Sequence, residues 1–148
     1  MRVVFLICFA TALSAPAVGK EEQICLIVHQ KNPISEMKKK DLMEILKGEK
    51  TIWKTWNKTP IVIAMVRDSE AFLKKIDLTS VHFRKIWLKL ALSGRHDPPK
   101  TFGTACEVLQ FVERTPGAIG WFVGEDNRKE ARNKKMKIIP VTEMDELQ

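Results

Sequence analysis

The sequence predicts an α/β domain in which helices cover both faces of a sheet. Apolar, β-rich runs alternate along the chain with stretches of helical periodicity, which is the order expected of layered α/β proteins. The strand-like runs are apolar along most of their length, as is typical of strands buried on both faces. Residues 18–148 are enough for one domain with a core of its own.

The first part of the chain predicts two strands, each followed by a helix. Ile24–Gln30 and Pro60–Val66 are short apolar runs rich in β-branched residues. Ser35–Gly48 carries apolar residues at helical spacing and ends in glycine, and Asp68–Ile76 predicts a shorter helix. The segment between the first helix and the second strand, which contains Trp53 and other polar and aromatic residues, is predicted to be a loop.

The second part predicts two longer helices and two strands. The third helix covers Val81–Gly94, with Thr79 or Ser80 as its cap, and a loop follows it. A capping box at Thr104–Glu107 opens the fourth helix. The remaining elements are a strand, a charged loop and a last strand, in the order AIGWFV, GEDNRKEARNKKM and KIIPV.

The fourth helix is predicted to end sharply at Thr115-Pro116-Gly117. Pro116 has no backbone N–H for a continuing helix, and Gly117 adopts positive φ without strain. Gly120 has no side chain within the strand that follows, which predicts that another part of the chain passes close to it.

Residues 1–17 have the three parts of a secretory signal peptide. Arg2 is followed by an apolar run and then by small residues up to Ala17, where cleavage is expected. The apolar run is shorter than the roughly 20 residues that a spanning helix needs. We therefore expect a periplasmic or secreted domain over residues 18–148.

The formal net charge of +7 favours anionic partners in general. Nucleic acid is not expected, because no nucleic-acid-binding motif accompanies the charge and the chain carries an export signal. Ser93, His96 and Asp97 lie in one loop, but neighbours along a loop rarely form a catalytic triad. No nucleophile elbow or HExxH motif is present, so no enzyme activity and no cofactor is predicted.

Metal binding is not predicted either, since the histidines are not at ligand spacing to the cysteines. His29 ends the first strand and is predicted to be a hydrogen-bonded structural residue. Cys25 and Cys106 remain after the predicted cleavage. They can form a disulfide in an oxidising compartment or remain two thiols, and the sequence leaves both alternatives open.

The order of several motifs resembles one family. The first motif is V-H-x-x-N-P-I-S at Val28–Ser35, and the last is E-V-L-x-F-V-x-x-T-P-G-A-I-G at Glu107–Gly120. Between them lie five shorter motifs, in the order L-K-G, P-I-V, A-F-L-K-K-I, L-S-G-R and P-P-K. Over roughly Ile24–Val141 the chain is similar to short phosphate ABC transporter substrate-binding-like proteins, which belong with the type II periplasmic binding proteins. The resemblance implies a single-lobe periplasmic-binding-protein-like domain, with a mixed sheet and helices on both faces.

The resemblance also implies a site for phosphate or a related oxyanion. Arg67 and Ser69 match ligand-binding positions of full-length relatives, and Asp68 is placed to orient Arg67. The glycines and the threonine of the relatives' anion-binding loop are absent, and Glu70 places a carboxylate in the first turn of the helix. An N-cap with a surface ion pair is the alternative interpretation of these residues.

Two functions follow as hypotheses. The first is a periplasmic substrate-binding protein for phosphate or another oxyanion in ABC-type import, with a membrane transporter or a second subunit as partner. The second is a binding-protein lobe without a ligand that acts as a protein-interaction module in the periplasm. A concave pocket converging on Arg67 with free backbone donors would favour the first, and a flat apolar patch around the tryptophans would favour the second.

Overall fold

The structure, a computed structural model, describes residues 24–123, 125–134 and 136–142. The predicted signal peptide and its cleavage site lie outside these residues. The strands are β1 (Ile24–Val28), β2 (Met37–Lys38), β3 (Ile52–Trp53), β4 (Thr59–Pro60), β5 (Val62–Val66), β6 (Lys100–Phe102), β7 (Ala118–Val123), β8 (Lys137–Ile139) and β9 (Val141–Thr142). The helices are α1 (Lys39–Leu46), α2 (Glu70–Lys75), α3 (Ser80–Leu92), α4 (Ala105–Arg114) and α5 (Glu125–Asn133).

The main sheet is mixed and has five strands in the order β6-β5-β7-β1-β8. Strand β5 runs parallel to β6 and β7, whereas β1 runs antiparallel to β7 and β8. The short strands form two further pairs, β2 with β9 and β3 with β4. Because β5, β6 and β7 are parallel, the loops that follow them lie along one edge of the sheet.

Side chains alternate between the two faces of the sheet, and each face has its own core. Along β7, Ile119 and Trp121 join the core that includes residues of α1, α2 and α3, and Phe72 of α2 stacks on Trp121 at 4.2 Å between ring centroids. Ala118 and Phe122 join the core on the opposite face, under α4. The predicted α/β fold with helices on both faces is confirmed.

The turn at Thr115-Pro116-Gly117 is confirmed and is held from two sides. Gly117 has φ of +82°, and a Cβ there would clash with the carbonyl oxygen of Pro60. The Gly117 carbonyl accepts hydrogen bonds from the Trp53 indole N–H at 2.9 Å and from the Val62 N–H at 3.1 Å. The end of α4 is therefore fixed to the start of β5.

Three predicted segments differ from the observed elements. Helix α1 begins at Lys39 because Met37 pairs with β9 as part of β2, and its N–H donates to the Pro140 carbonyl. The last strand is split at Pro140, with β8 on one side and β9 on the other. The tryptophan loop contains the short hairpin of β3 and β4, in which Trp53 is buried.

Two further predicted loops contain regular structure. The loop after α3 includes β6, which pairs with β5 through only three residues and is too short to show a periodic pattern. The charged loop after β7 forms α5, in which Ala131 is fully buried. A helix that buries so small a side chain presents little apolar periodicity, which explains why the sequence did not predict it.

Candidate functional site

The predicted site residues lie where β5 ends at the edge of the parallel strands. The Arg67 N–H donates to the Phe102 carbonyl at 2.9 Å, which extends the pairing with β6 by one residue. The Ser69 hydroxyl donates to the Val66 carbonyl at 2.6 Å and closes a tight turn. The Ser69 carbonyl then accepts from the Leu73 N–H at 3.0 Å as α2 begins.

Arg67, Asp68 and Ser69 lie together in this turn but do not bond to one another. Arg67 and Asp68 are exposed and Ser69 is buried. Within the described part of the chain, the Arg67 side chain has no hydrogen bond or ion pair, so the predicted orienting contact from Asp68 is not formed. Ser69 makes no side-chain cap to α2, so the alternative of an N-cap with an ion pair is not what the structure shows either.

The turn opens into a groove of about 1030 Å³. One wall is α3 and the other is the segment 67–70; we call this feature the α3 groove. Its apolar lining includes Leu73, Phe83, Trp87 and Leu88. Charged side chains also line it: Arg67, Arg84 and Lys85 are basic, and Asp68 and Glu70 are acidic. The groove is therefore concave and mainly apolar, with charges that include the proposed ligand arginine.

Helix α3 forms its wall with side chains that sequence reasoning assigned no role. Phe83 and Trp87 are buried, and the Trp87 indole N–H donates to the Leu46 carbonyl at 2.8 Å. The opposite side carries Val81, Leu88 and Leu92, which are 56%, 62% and 80% exposed. Their spacing of seven and then four residues, a helical period, is the signal that could have identified this second face.

The other candidate residues do not form a catalytic group. The Ser93 hydroxyl donates to the Leu90 carbonyl at 2.7 Å at the end of α3, and no hydrogen bond joins it to His96 or Asp97. His96 and Asp97 line a separate cavity of about 300 Å³. The described ranges contain no cluster of three metal-ligating side chains. No helix in them is long and apolar enough to span a membrane.

The histidine and tryptophans have structural roles. His29 Nδ1 accepts from the Lys31 N–H at 3.2 Å, and the His29 ring stacks against Trp56 at 6.3 Å, so the predicted structural role of His29 is confirmed. Trp53 and Trp121 are buried, so they form no flat surface patch. Among the described residues, three of the four exposed large hydrophobic side chains lie on α3 instead.

Cys25 and Cys106 are not joined by a disulfide. Cys25 is buried in the sheet, whereas Cys106 is in the first turn of α4 and its thiol donates to Glu130 at 3.4 Å. This hydrogen bond to the Glu130 carboxylate, together with desolvation, raises the pKa of the Cys106 thiol. A thiol with a raised pKa is a poor nucleophile at neutral pH.

Comparison with known proteins identifies the fold. No family model matches the chain, and no curated protein does. A protein assigned as a phosphate ABC transporter substrate-binding protein, with bound phosphate, from Clostridium perfringens is similar over 81% of this chain and 45% of its own length, at 18% identity and a TM-score of 0.61. PstS from Borrelia burgdorferi is similar over 82% and 47%, at 18% identity and a TM-score of 0.60.

An ABC-type phosphate transport receptor from Vibrio cholerae is similar over 80% of this chain and 45% of its own length, at 18% identity and a TM-score of 0.52. The chain spans less than half the length of each of these three structures. Identities this low establish similarity of fold only. The resemblance inferred from the sequence motifs is thus confirmed for the fold, which is that of part of a substrate-binding protein.

Proposed function

We propose that the chain is one lobe of a periplasmic substrate-binding protein for phosphate or a related oxyanion, acting in ABC-type import. The observation that carries the proposal is the position of Arg67. Its guanidinium lies at the carboxyl end of β5, lines the α3 groove and has no side-chain partner among the described residues. The likeness to two proteins described as a phosphate transporter's substrate-binding protein and a phosphate transport receptor supports the choice of ligand.

A guanidinium recognises an oxyanion through two parallel N–H donors. Arg84 and Lys85 line the same groove and add positive potential around Arg67. The Ser69 hydroxyl already donates to Val66, so it can offer a bound anion only its oxygen lone pairs. Arg67 is therefore the principal donor in the proposed site.

The carboxylates of Asp68 and Glu70 favour a particular kind of oxyanion. A carboxylate accepts a hydrogen bond from a protonated oxyanion but repels one that is fully ionised. Hydrogen phosphate carries a proton at neutral pH, whereas sulfate carries none. We therefore propose that the site prefers phosphate to sulfate.

The remaining contacts to the anion, beyond the two walls of the α3 groove, are proposed to come from another polypeptide. The chain spans less than half of each similar structure, so one copy provides only part of the surface that those structures contain. A second subunit or the membrane transporter would complete the shell around the anion.

Calorimetry on the predicted mature chain, residues 18–148, tests the oxyanion site. We expect phosphate to bind with a Kd in the micromolar range, about −8 kcal/mol, and sulfate to compete poorly. Arg67→Ala should abolish the heat of binding. Arg114→Ala, which removes an exposed arginine from the end of α4, should leave it unchanged. No heat from the folded wild-type protein would contradict the proposal.

A second candidate function, a periplasmic protein-interaction module, is favoured by one observation. The α3 groove is lined mainly by apolar side chains, and three large apolar residues of α3 are more than half exposed. Apolar surface of this kind is typical of sites that bind other proteins. This candidate predicts a partner protein that binds whether or not phosphate is present.

A further inference from the structure

Helix α3 has two apolar sides, and only one is covered by the rest of the described chain. Phe83 and Trp87 pack into the core, whereas Val81, Leu88 and Leu92 are exposed on the other side. A surface helix usually has one apolar stripe and a polar face opposite it. The exposed side chains repeat at helical spacing, and two of them, Val81 and Leu88, line the α3 groove. A groove of this kind is a shape that accepts the ridge of another helix.

The charges on the α3 wall of the groove have one sign, whereas the opposite wall carries Arg67 together with the carboxylates of Asp68 and Glu70. Helix α3 contains no acidic residue, and its basic residues Arg84 and Lys85 line the groove beside Leu88. Lys89 follows on the same helix and is exposed. A partner whose apolar ridge is flanked by carboxylates would satisfy both the apolar stripe and these cations.

We propose that the α3 groove docks an amphipathic helix of another protein, with acidic residues beside its apolar face. The inference rests on the interaction function proposed above and names the chemistry of the partner. Leu88 and Val81 supply the apolar contact, and Arg84 and Lys85 pair with the partner's carboxylates. The groove is concave and large enough for several side chains at once, which suits a helix more than a flat surface.

A second copy of this chain fits the surface less well. Packing α3 against α3 places basic side chains next to basic side chains and supplies no carboxylate from either helix. An anionic membrane would satisfy the charge, but a planar bilayer surface contacts Leu92 and Leu88 and leaves the floor at Phe83 and Trp87 uncovered. An acidic helix reaches both.

Two synthetic helical peptides test the inference. They share the same leucine positions, and one carries glutamate at the flanking positions where the other carries lysine. We expect the glutamate peptide to bind the predicted mature chain at least about tenfold more tightly than the lysine peptide, as measured by fluorescence anisotropy. Leu88→Ser should weaken binding of the glutamate peptide about tenfold, because Leu88 is exposed and supports no core contact.

Reversing the charge inside the groove tests the role of the basic side chains, and the same reversal outside the groove is the matched control. The double variant Arg84→Glu/Lys85→Glu should reverse the preference, so that the lysine peptide binds more tightly. The variant Lys40→Glu/Lys54→Glu makes the same change of charge at exposed positions outside the groove and should keep the preference for glutamate. An unchanged preference in the groove variant would overturn the inference.

Other outcomes assign the surface to a different occupant and also overturn the inference. Self-association that is lost in Leu88→Ser would indicate a second copy, and binding to phosphatidylglycerol vesicles without peptide binding would indicate a membrane. A periplasmic protein that binds Leu88→Ser as well as wild type would retain the interaction function but exclude this groove. If neither peptide bound but phosphate bound to the wild type and not to Arg67→Ala, only the oxyanion function would remain.

Discussion

Helices α3 and α4 are neighbours in sequence but are used in opposite ways. Helix α4 begins at a capping box and buries Val108, Leu109 and Val112 completely against the sheet. Helix α3 begins at a single cap from Thr79 and leaves Val81, Leu88 and Leu92 exposed in addition to its buried face. The buried residues of α4 are thus covered within the described chain, whereas α3 has more apolar surface than the described residues cover.

The comparison separates residues that maintain the fold from residues that are available to a partner. Buried apolar side chains contribute to stability roughly in proportion to the area removed from water. Exposed apolar side chains contribute little to folding, and a contiguous row of them indicates binding. Substitutions at equivalent positions of α3 and α4 should therefore differ in their effect on the free energy of unfolding.

The largest difference is expected for leucine truncation. Leu109→Ala should lower the free energy of unfolding by about 3 kcal/mol, because it leaves a cavity between α4 and the sheet. Leu92→Ala should change it by less than about 0.5 kcal/mol, since Leu92 is 80% exposed. Urea denaturation of both variants measures the difference, and equal effects would contradict the distinction between the helices.

The ends of the helices offer a second comparison. Gly94 follows α3 with φ of +66° and open space around the position of a Cβ, whereas Gly117 follows α4 with φ of +82° and the Pro60 carbonyl against it. Gly94→Ala should destabilise by about 1 kcal/mol through backbone strain alone. Gly117→Ala should destabilise by about 2 kcal/mol or more, because the turn must also move away from β4. Thermal unfolding of the two variants would show no difference if the close approach were unimportant.

The helix caps should differ by less. Thr104 Oγ1 accepts from the Glu107 N–H at 3.3 Å, and the Glu107 carboxylate accepts from the Thr104 N–H at 3.0 Å. Thr79 accepts only from the His82 N–H, at 3.1 Å. Thr104→Ala is expected to destabilise by about 1.5 kcal/mol and Thr79→Ala by about 0.5–1 kcal/mol. Thr104→Ala also removes the hydrogen bond that the Thr104 hydroxyl donates to the Glu107 carboxylate at 3.3 Å. Chemical denaturation of the single variants checks the order, and equal effects would contradict it.

The elements that the sequence predicted correctly are those with local signals. Thr104 and Glu107 specify a helix start through their own spacing, and Pro116 and Gly117 specify its end through backbone chemistry. The apolar runs that became β1, β5 and β7 are long enough to identify buried strands. These signals lie within a few residues of one another and depend little on the rest of the fold.

The elements that were missed depend on distant contacts or bury too little to show a pattern. Strand β6 exists because β5 lies beside it, with Ala64 opposite Lys100, and α5 buries Ala131 between longer charged side chains. The candidate site shows the same limit. Sequence resemblance identified Arg67 and Ser69, but only the structure shows that the Ser69 hydroxyl bonds to Val66 and that α3 forms the opposite wall.

The smallest expected effect on stability is the most informative about function. Leu88→Ser removes an apolar side chain that is 62% exposed, so the free energy of unfolding should change by less than about 0.5 kcal/mol. A serine substitution on α4, Val108→Ser, places a hydroxyl in a fully buried position and should destabilise the protein severely. Differential scanning calorimetry of both variants gives the comparison.

A large loss of stability from Leu88→Ser would mean that α3 is covered within the folded chain, and the case for its exposed face as a docking surface would fail. An unchanged melting temperature, together with weaker binding of the glutamate peptide, would show that Leu88 contributes to recognition and not to folding.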